Sequence, residues 1–479
     1  MFQKLLEVTM NSLYINAALI CFDNSPYIPE LWAREGLAIL VEDMVMGSLV
    51  HRDFESNIAK FGDVVHTARP AERSIRRRTD SDDYDTTATS ATDVPVSLNQ
   101  WFYDSFIIKD GEQSMSFADL VQKHLDPAMQ SMSRAIDRAV YGRISALLKT
   151  PTTRAGRLGA LSNSNAKDYV LDAREMLHVQ KAYELGRNLV LAPSSETAML
   201  KTDLFVKVNE SGSDAALRRG FLGKILGFDT FRDNNANSIN STSAVDTAAG
   251  TVTAALAAGE LASSEATTIT GYNVVVGEFV TIAGNDQPQY VTARTLNGAD
   301  TDDVTLNEAN KYASGAGAAL TIYKAATAVD AAYAAGWAKA IPVTHTSGKP
   351  PQVGQLLAFG TSTRHTYTII EVAVVSATKT QVWLDRPLEV AVAENDKAFP
   401  GPTGSINLAF HRDAIALVSR PVAEPPNGTG VMSAIGSHNG VGMRVVMQYD
   451  SVKGGTRVNF DLLAGVAILD PNLAVILLG

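Results

Sequence analysis

A single cysteine, Cys21, stands in 479 residues, so no disulfide can form within the chain. Its neighbours Ile20, Phe22, Asp23 and Asn24 supply nothing that would stabilise a thiolate, and Cys21 reads as an inert thiol. No apolar run approaches the roughly 18 residues needed to cross a bilayer. The first residues lack the basic flank and cleavage pattern of a signal peptide, so the expectation is a soluble chain made in the cytoplasm. Catalytic signatures are missing too. The eight histidines are scattered, with no two at metal-ligand spacing on one helix. There is no phosphate-binding Gly-x-x-x-x-Gly-Lys-Ser/Thr loop, no Gly-x-Ser-x-Gly elbow and no dinucleotide fingerprint. Asp300, Asp302, Asp303 and Glu308 lack the central glycine and alternation of a calcium loop and read as a solvated turn. No catalytic residue, cofactor or metal is expected.

Positive charge is also in short supply. Lysine and arginine number 41 against 51 aspartates and glutamates, a net charge of −10, which argues against a folded surface made to clamp nucleic acid. What is present is apolar material. Hydrophobic residues make up 46% of a chain long enough for about three domains of roughly 150 residues.

Residues 1–57 read as an arm and a short helix: Pro29-Glu30 is a helix start, and Leu31, Leu37, Leu40, Val41 and Val45 recur at helical spacing. Residues 58–110 read as a long hairpin, with extended runs over 61–66 and 94–103. Between those runs Arg69, Arg73, Arg76, Arg77 and Arg78 abut Asp80, Asp82, Asp83 and Asp85. The basic block has no interleaved aromatics and runs straight into acids, which speaks against a nucleic-acid site. A solvated tip and ion pairing between copies both fit it, an exposed pair contributing only ~0–1 kcal/mol.

Residues 111–188 turn helical. Phe117, Leu120, Val121 and Leu125 continue after Asp126-Pro127 as Met132, Ile136, Val140, Ile144 and Leu147, with Asp126 as a possible cap and a kink at the proline. A second helix is predicted over 167–185, stopped by Gly186. Residues 189–236 hold a buried strand at Leu189-Val190-Leu191, a helix over 196–208 and an extended run at Phe228.

Residues 237–404 change composition to Ala, Thr, Val and Gly, with short apolar runs between turns, and read as mostly β. They also carry an internal echo. Gly277 and Tyr290 are answered by Gly354 and Tyr367 at an offset of 77, and Val304 by Val382 at 78. Duplication and shared hairpin grammar both explain the echo at this level.

In the last seventy-five residues Met443, Val445, Met447 and Tyr449 alternate with Arg444, Val446 and Gln448. Val458, Phe460 and Leu462 alternate in turn with Arg457, Asn459 and Asp461, so period two predicts a hairpin turning near Gly454-Gly455. The nearly continuous apolar runs 462–468 and 474–478 predict strands covered on both faces of a mixed sheet.

Asn407-Leu408-Ala409-Phe410-His411-Arg412-Asp413-Ala414, Ala416-Leu417-Val418-Ser419-Arg420-Pro421-Val422 and the hairpin just described resemble the C-terminal end of major coat proteins of short-tailed, double-stranded DNA phages. Ile28-Pro29-Glu30-Leu31-Trp32 is similar to an opening found in the same class. The resemblance implies an α+β chain with the Hong Kong 97 phage capsid fold: N-terminal arm 1–57, extended loop 58–110, peripheral domain with a spine helix 111–188, axial domain 189–236 and 405–479, and a β-barrel-like insertion domain 237–404, in which the echo would mean a doubled barrel. It implies a shell of hexamers and pentamers in the virion, assembled in the host cytoplasm around DNA that is enclosed without being specifically bound. Portal, scaffolding and decoration proteins are the further partners implied, and no membrane. The contact residues expected between copies are Trp32 on the arm and Arg69, Arg76, Arg77, Asp82, Asp83 and Asp85 in the loop. Two alternatives stand beside this one: an encapsulin-type compartment shell, for which the chain is long, and a β-rich ligand-binding protein or hydrolase acting through residues 237–404.

Overall fold

The computed structural model describes residues 29–52, 54, 60–70, 75, 77, 91–111, 117–148, 153–202, 222–236, 238–239, 246–263, 267–298, 301–329, 331–360, 364–426 and 430–479. Cys21, the arm before Pro29, and Arg76, Asp82, Asp83 and Asp85 lie outside the described residues.

Helix α1 (Pro29–Asp43) starts at the expected proline and turns Trp32, Ala33, Leu37 and Leu40 inward; a short α2 (Met46–Leu49) follows. Strands β1 (Val64–Pro70) and β2 (Ala91–Ser97) pair antiparallel from Val64 opposite Ser97 to Pro70 opposite Ala91. The extended run expected over 94–103 is broken in two. Leu98 exchanges backbone hydrogen bonds with Gly62 and Asp63 and is fully buried, which pins the root of the hairpin. Beyond it β3 (Gln100–Lys109) leaves the hairpin and pairs along its whole length with residues 455–464.

From Phe117 to Leu147 the chain is almost continuously helical, as α3 (Phe117–Leu120), one π turn (Val121–Leu125), α4 (Asp126–Gly142) and α5 (Ile144–Leu147). Asp126 is not a cap: it keeps helical angles, φ −55° and ψ −50°, and donates its N–H to the Val121 carbonyl. Pro127 has no N–H to continue the ladder, and the wider turn just before it absorbs the mismatch without breaking the helix. Strand β4 (Arg154–Gly156) leads to α6 (Ala166–Val179), shorter than predicted because the chain reverses through Lys181 at φ 60°. Then come β5 (Arg187–Leu191), α7 (Pro193–Leu200), β6 (Lys224–Ile225), β7 (Phe228–Arg232) and β8 (Ser238–Ile239); 203–208 of the helix expected there lies outside the described residues.

The β-rich stretch consists of two units in tandem. Strands β9 (Thr247–Val252), β10 (Thr267–Thr270), β11 (Phe279–Ile282), β12 (Gln289–Gly298), β13 (Thr301–Leu306) and β14 (Ala319–Tyr323) close a barrel in the order β10-β13-β12-β11-β14-β9. Strands β15 (Thr327–Val329), β16 (Ile341–Thr344), β17 (Leu356–Phe359), β18 (His365–Ser376), β19 (Lys379–Leu384) and β20 (Ala398–Pro400) follow as β15-β16-β19-β18-β17-β20, the same order strand for strand. In the second unit, among the described residues, Ala326 just before β15 bridges Ala398 of β20. Individual hydrogen bonds recur as well. Gly277 N–H donates to Val291 O and Gly354 N–H to Ile369 O, both at 2.8 Å, and Tyr290 N–H donates to Asn307 Oδ1 as Thr368 N–H does to Asp385 Oδ1, again at 2.8 Å. The pairing of Tyr290 with Tyr367 is thereby corrected by one residue: Thr368 holds the place of Tyr290, because Phe279 lies opposite Tyr290 and Leu356 opposite Thr368. Gly277 (φ 103°) and Gly354 (φ 86°) both occupy the left-handed region that admits glycine with least strain.

The solvated turn expected at 300–308 is corrected. Asp302 and Asp303 lie buried on β13, where Asp302 accepts the Val274 N–H and Asp303 the Thr268 hydroxyl, each supplying a partner that a buried carboxylate requires.

The chain ends in β21 (Gly404–His411), β22 (Ile415–Arg420), β23 (Met432–His438), β24 (Val441–Asp450), β25 (Gly455–Ile468) and β26 (Ala474–Leu478). They divide between two sheets. β21 and β26 join β5 in a mixed sheet ordered β4-β26-β21-β5-β7-β6, parallel at β5–β7 and β26–β4. β22, β25, β24 and β23 make an antiparallel sheet to which β3 adds itself along β25. Every residue of β5 and β26 is buried, because α6 and α7 cover one face of the mixed sheet and the main core covers the other. That core gathers Trp32, Leu37 and Leu40 from α1, Met129, Met132, Ile136 and Val140 from α4, and Met443, Val445, Met447, Val458, Phe460 and Leu462 from the predicted hairpin. The alternation read from the sequence therefore selects the inward face.

Candidate assembly surface

Alternation also determines what the antiparallel sheet shows on its other side. Opposite Val458, Phe460 and Leu462 stand Arg457, Asn459 and Asp461, and opposite Met443 and Val445 stands Arg444. Arg444 and Asp461 face each other across the ladder and pair at 2.5 Å, while Trp101 of β3 donates its indole N–H to Asp461 at 3.3 Å. Arg457 reaches Asp450 at 3.0 Å on the same side. Trp101 and Tyr103 are exposed on this polar ladder, Tyr103 to 74%. Large exposed aromatics held over cross-strand ion pairs make a surface that can take up a protein partner.

One end of the same face is covered by the hairpin root. Val96 and Leu98 pack with Ala416, Val418 and Leu463 in a small separate cluster, with Val65 and Phe54 at its margin. Outward from the root, among the described residues, β1 and β2 pair only with each other, and a His66–Asp93 pair at 2.7 Å ties the two strands. The arrangement is a two-stranded lever standing off the body. Beside it a cleft of about 710 Å³ runs between β3, α4 and the second tandem unit, lined by Phe61, Trp101, Tyr103, Ile370 and Trp383.

The expected contact residues fall in different places. Arg77 is exposed; Arg69 lies on β1 opposite Thr92; Arg76, Asp82, Asp83 and Asp85 lie outside the described residues. Trp32 is corrected. Its side chain is fully buried inside its own copy, with Phe106 and Phe460 at centroid distances of 6.0 and 6.5 Å, and offers nothing to a neighbour. The exposed Trp101 and Tyr103 were missed, although their positions two apart at the end of an extended run carried the signal.

Among the described residues no group of three or more His, Cys, Asp or Glu side chains is placed to hold a metal ion, and no helix is long and apolar enough to cross a membrane. Asp137 is an acid whose pKa is raised by its surroundings. Burial and the nearby Asp233 push it up to about 7, against the opposing effect of N–H groups from Val45 and Gly47, which it accepts at 3.0 and 2.9 Å. It ties α4 to the turn between α1 and α2, a structural position away from the exposed face.

No family model matches the chain, and no curated protein matches it. Solved phage structures do. The chain aligns with a structure of Mycobacterium phage Che8 over 91% of its own length and 90% of that chain, at 12% identity and a TM-score of 0.42. It aligns with the capsid structure of the cyanophage P-SCSP1u over 88% and 84%, at 9% identity and a TM-score of 0.40. With the asymmetric unit of the bacteriophage PhiM1 mature capsid the shares are 90% and 86%, the identity 9% and the TM-score 0.36.

Proposed function

We propose that the chain is a major capsid protein of a tailed, double-stranded DNA phage, built on the Hong Kong 97 plan, and that it acts by self-association into hexamers and pentamers. The observation that carries the reading is the lever beside the open sheet: a hairpin rooted at Leu98 whose described strands otherwise pair only with each other, next to a face bearing Trp101, Tyr103, Arg444 and Asp461. A hairpin whose described strands, beyond the root, pair only with each other is suited to reach another copy. The sequence resemblance of 407–422 and 443–466 supports the same reading independently.

On this reading the arm is 1–57, the extended loop 58–110, the peripheral domain 111–188 with α4 as its spine, the axial domain 189–236 with 405–479, and the insertion 237–404. Arg69, Arg76 and Arg77 with Asp82, Asp83 and Asp85 pair across copies, each exposed pair adding about 0–1 kcal/mol but repeated at every contact of a shell. A net charge of −10 suits a wall that contains DNA without gripping it. The test is negative-stain electron microscopy of the expressed protein, with and without its neighbouring gene products. Closed polyhedral particles are the expected result; a uniformly monomeric protein under every condition would overturn the proposal.

A further inference from the structure

The two tandem units grip the body through equivalent positions. Asn307 and Asp385 hold equivalent hydrogen bonds, and the residue after each reaches out of its unit. Glu308 pairs with the buried Arg154 of β4, whereas Arg386 donates to Ser145 of α5 at 3.2 Å. Around Glu308, Gln287 donates to Gly156 O at 2.7 Å, the Leu158 N–H donates to Asp286 O at 2.9 Å, and Arg157 lies 4.4 Å over the Tyr312 ring. Around Arg386, the Thr368 hydroxyl donates to Gly142 O at 3.2 Å and Arg138 to Ile370 O at 3.4 Å. Gly142 is needed there because a Cβ would overlap the Asp385 side chain. One unit thus holds the mixed sheet and the other holds the spine helix.

The units are also joined to each other. Arg364, beside β18, lies 4.2 and 4.4 Å from the ring centroids of Phe279 and Tyr290 in the first unit and 5.5 Å from that of Phe399 in its own, and it donates to Gly277 O. Phe399 in turn packs on Gly277, where a Cβ would come within 2.9 Å of the ring. Phe279 and Phe399 belong to the same apolar cluster as the body's core, so the joint is not an isolated surface contact. Burial lowers Arg364 to about 9, which leaves it cationic at neutral pH and able to bind the ring faces.

We infer that the tandem insertion is an intramolecular brace: the first unit fastened to β4, the second to Gly142–Ser145, and Arg364 between Phe279, Tyr290 and Phe399 as the joint that sets the angle between mixed sheet and spine helix. The brace operates within one copy and does not depend on what that copy assembles into.

The experiment is a pulsed electron-spin distance measurement on the unassembled full chain. Spin labels are placed at Arg134→Cys on α4 and Lys224→Cys on β6, both exposed, in a Cys21→Ser background. The parent should give one narrow distribution. Arg364→Ala, which empties the joint, and Gly142→Ala, which lifts the second unit off the helix, should each widen it at least twofold, while the exposed Glu394→Ala leaves it narrow. Arg364→Lys keeps the charge without the flat stack and serves if Arg364→Ala fails to fold; it should widen the distribution to an intermediate degree. Arg364→Lys and Gly142→Ala chains that keep native far-ultraviolet dichroism and give the parent's narrow distribution would overturn the inference. A chain that never forms particles would still report on the brace, so this result is separable from failure of the capsid reading.

Discussion

Trp32 carries the clearest lesson at the scale of single residues. An aromatic on an N-terminal helix can face a neighbour or its own core, and local spacing alone did not distinguish the two. The rings of Phe106 and Phe460 decide it, and both arrive from strands far away in sequence. Trp32→Ala should lower unfolding stability by about 3–5 kcal/mol, read as a shift of the urea midpoint. A loss below ~1 kcal/mol would contradict its place in the core. Asp137 makes a second prediction. Its folded pKa, raised from 3.8 to about 7, means the native state holds a proton that the unfolded chain releases between those values. Its contribution to stability is therefore full below about 4 and is lost as pH rises through 7. Urea midpoints of the parent minus those of Asp137→Asn, taken from pH 4 to 8, should fall with pH; a flat difference would show that Asp137 is not the titrating group. Asp233, Tyr141 and Arg138 stand in the same buried cluster, and the subtraction is needed because Asp233 is also raised by burial.

Among the elements, the hairpin β1–β2 can be shortened without touching its root. The hairpin contributes to the fold through Val96 and Leu98 at its root, so removing residues 69–85 leaves that cluster in place. The shortened chain should unfold within a few degrees of the parent, by about ±0.5 kcal/mol as for changes remote from a core, yet fail to close shells. Normal particles from that deletion would remove the loop from the assembly surface. The long helix running from Phe117 to Leu147 was legible from its three- and four-residue spacing, but the π turn was not. Pro127 announces only that one backbone bond is missing; whether the helix breaks, kinks or widens depends on the packing of Leu120, Leu125 and Met129 on both sides of it. The end of β2 was hidden for a similar reason, since residues 94–103 favour extension throughout and only the buried side chain of Leu98 divides them.

Across the whole molecule, protection against hydrogen exchange should follow burial on both faces. The amides of β5, β21 and β26 should exchange last, through global unfolding, and those of β1 and β2 first. Exchange at the hairpin as slow as in β5 of the monomer would mean that the lever packs on its own body. The exposed face of the antiparallel sheet was partly readable, because alternation assigns Arg444, Arg457 and Asp461 to one side. That this side stays open, while the opposite one takes α1 and α4, depends on elements drawn from both ends of the chain.

By itself the sequence determined the local periods: where helices run, which residues of 443–462 point inward, and that 237–404 carries an echo at an offset of 77 to 78 that duplication and shared hairpin grammar explain equally. These are properties of neighbours three, four or two residues apart, and they survive in any tertiary context that buries one face. Tertiary structure alone decided that 405–479 is shared between two sheets and that β3 joins the C-terminal strands. It also decided that the echo is two units of one strand order, fastened through Glu308 and Arg386. Such outcomes depend on pairings between segments hundreds of residues apart, whose partners are chosen by complementary faces and covered edges, which a local pattern does not encode.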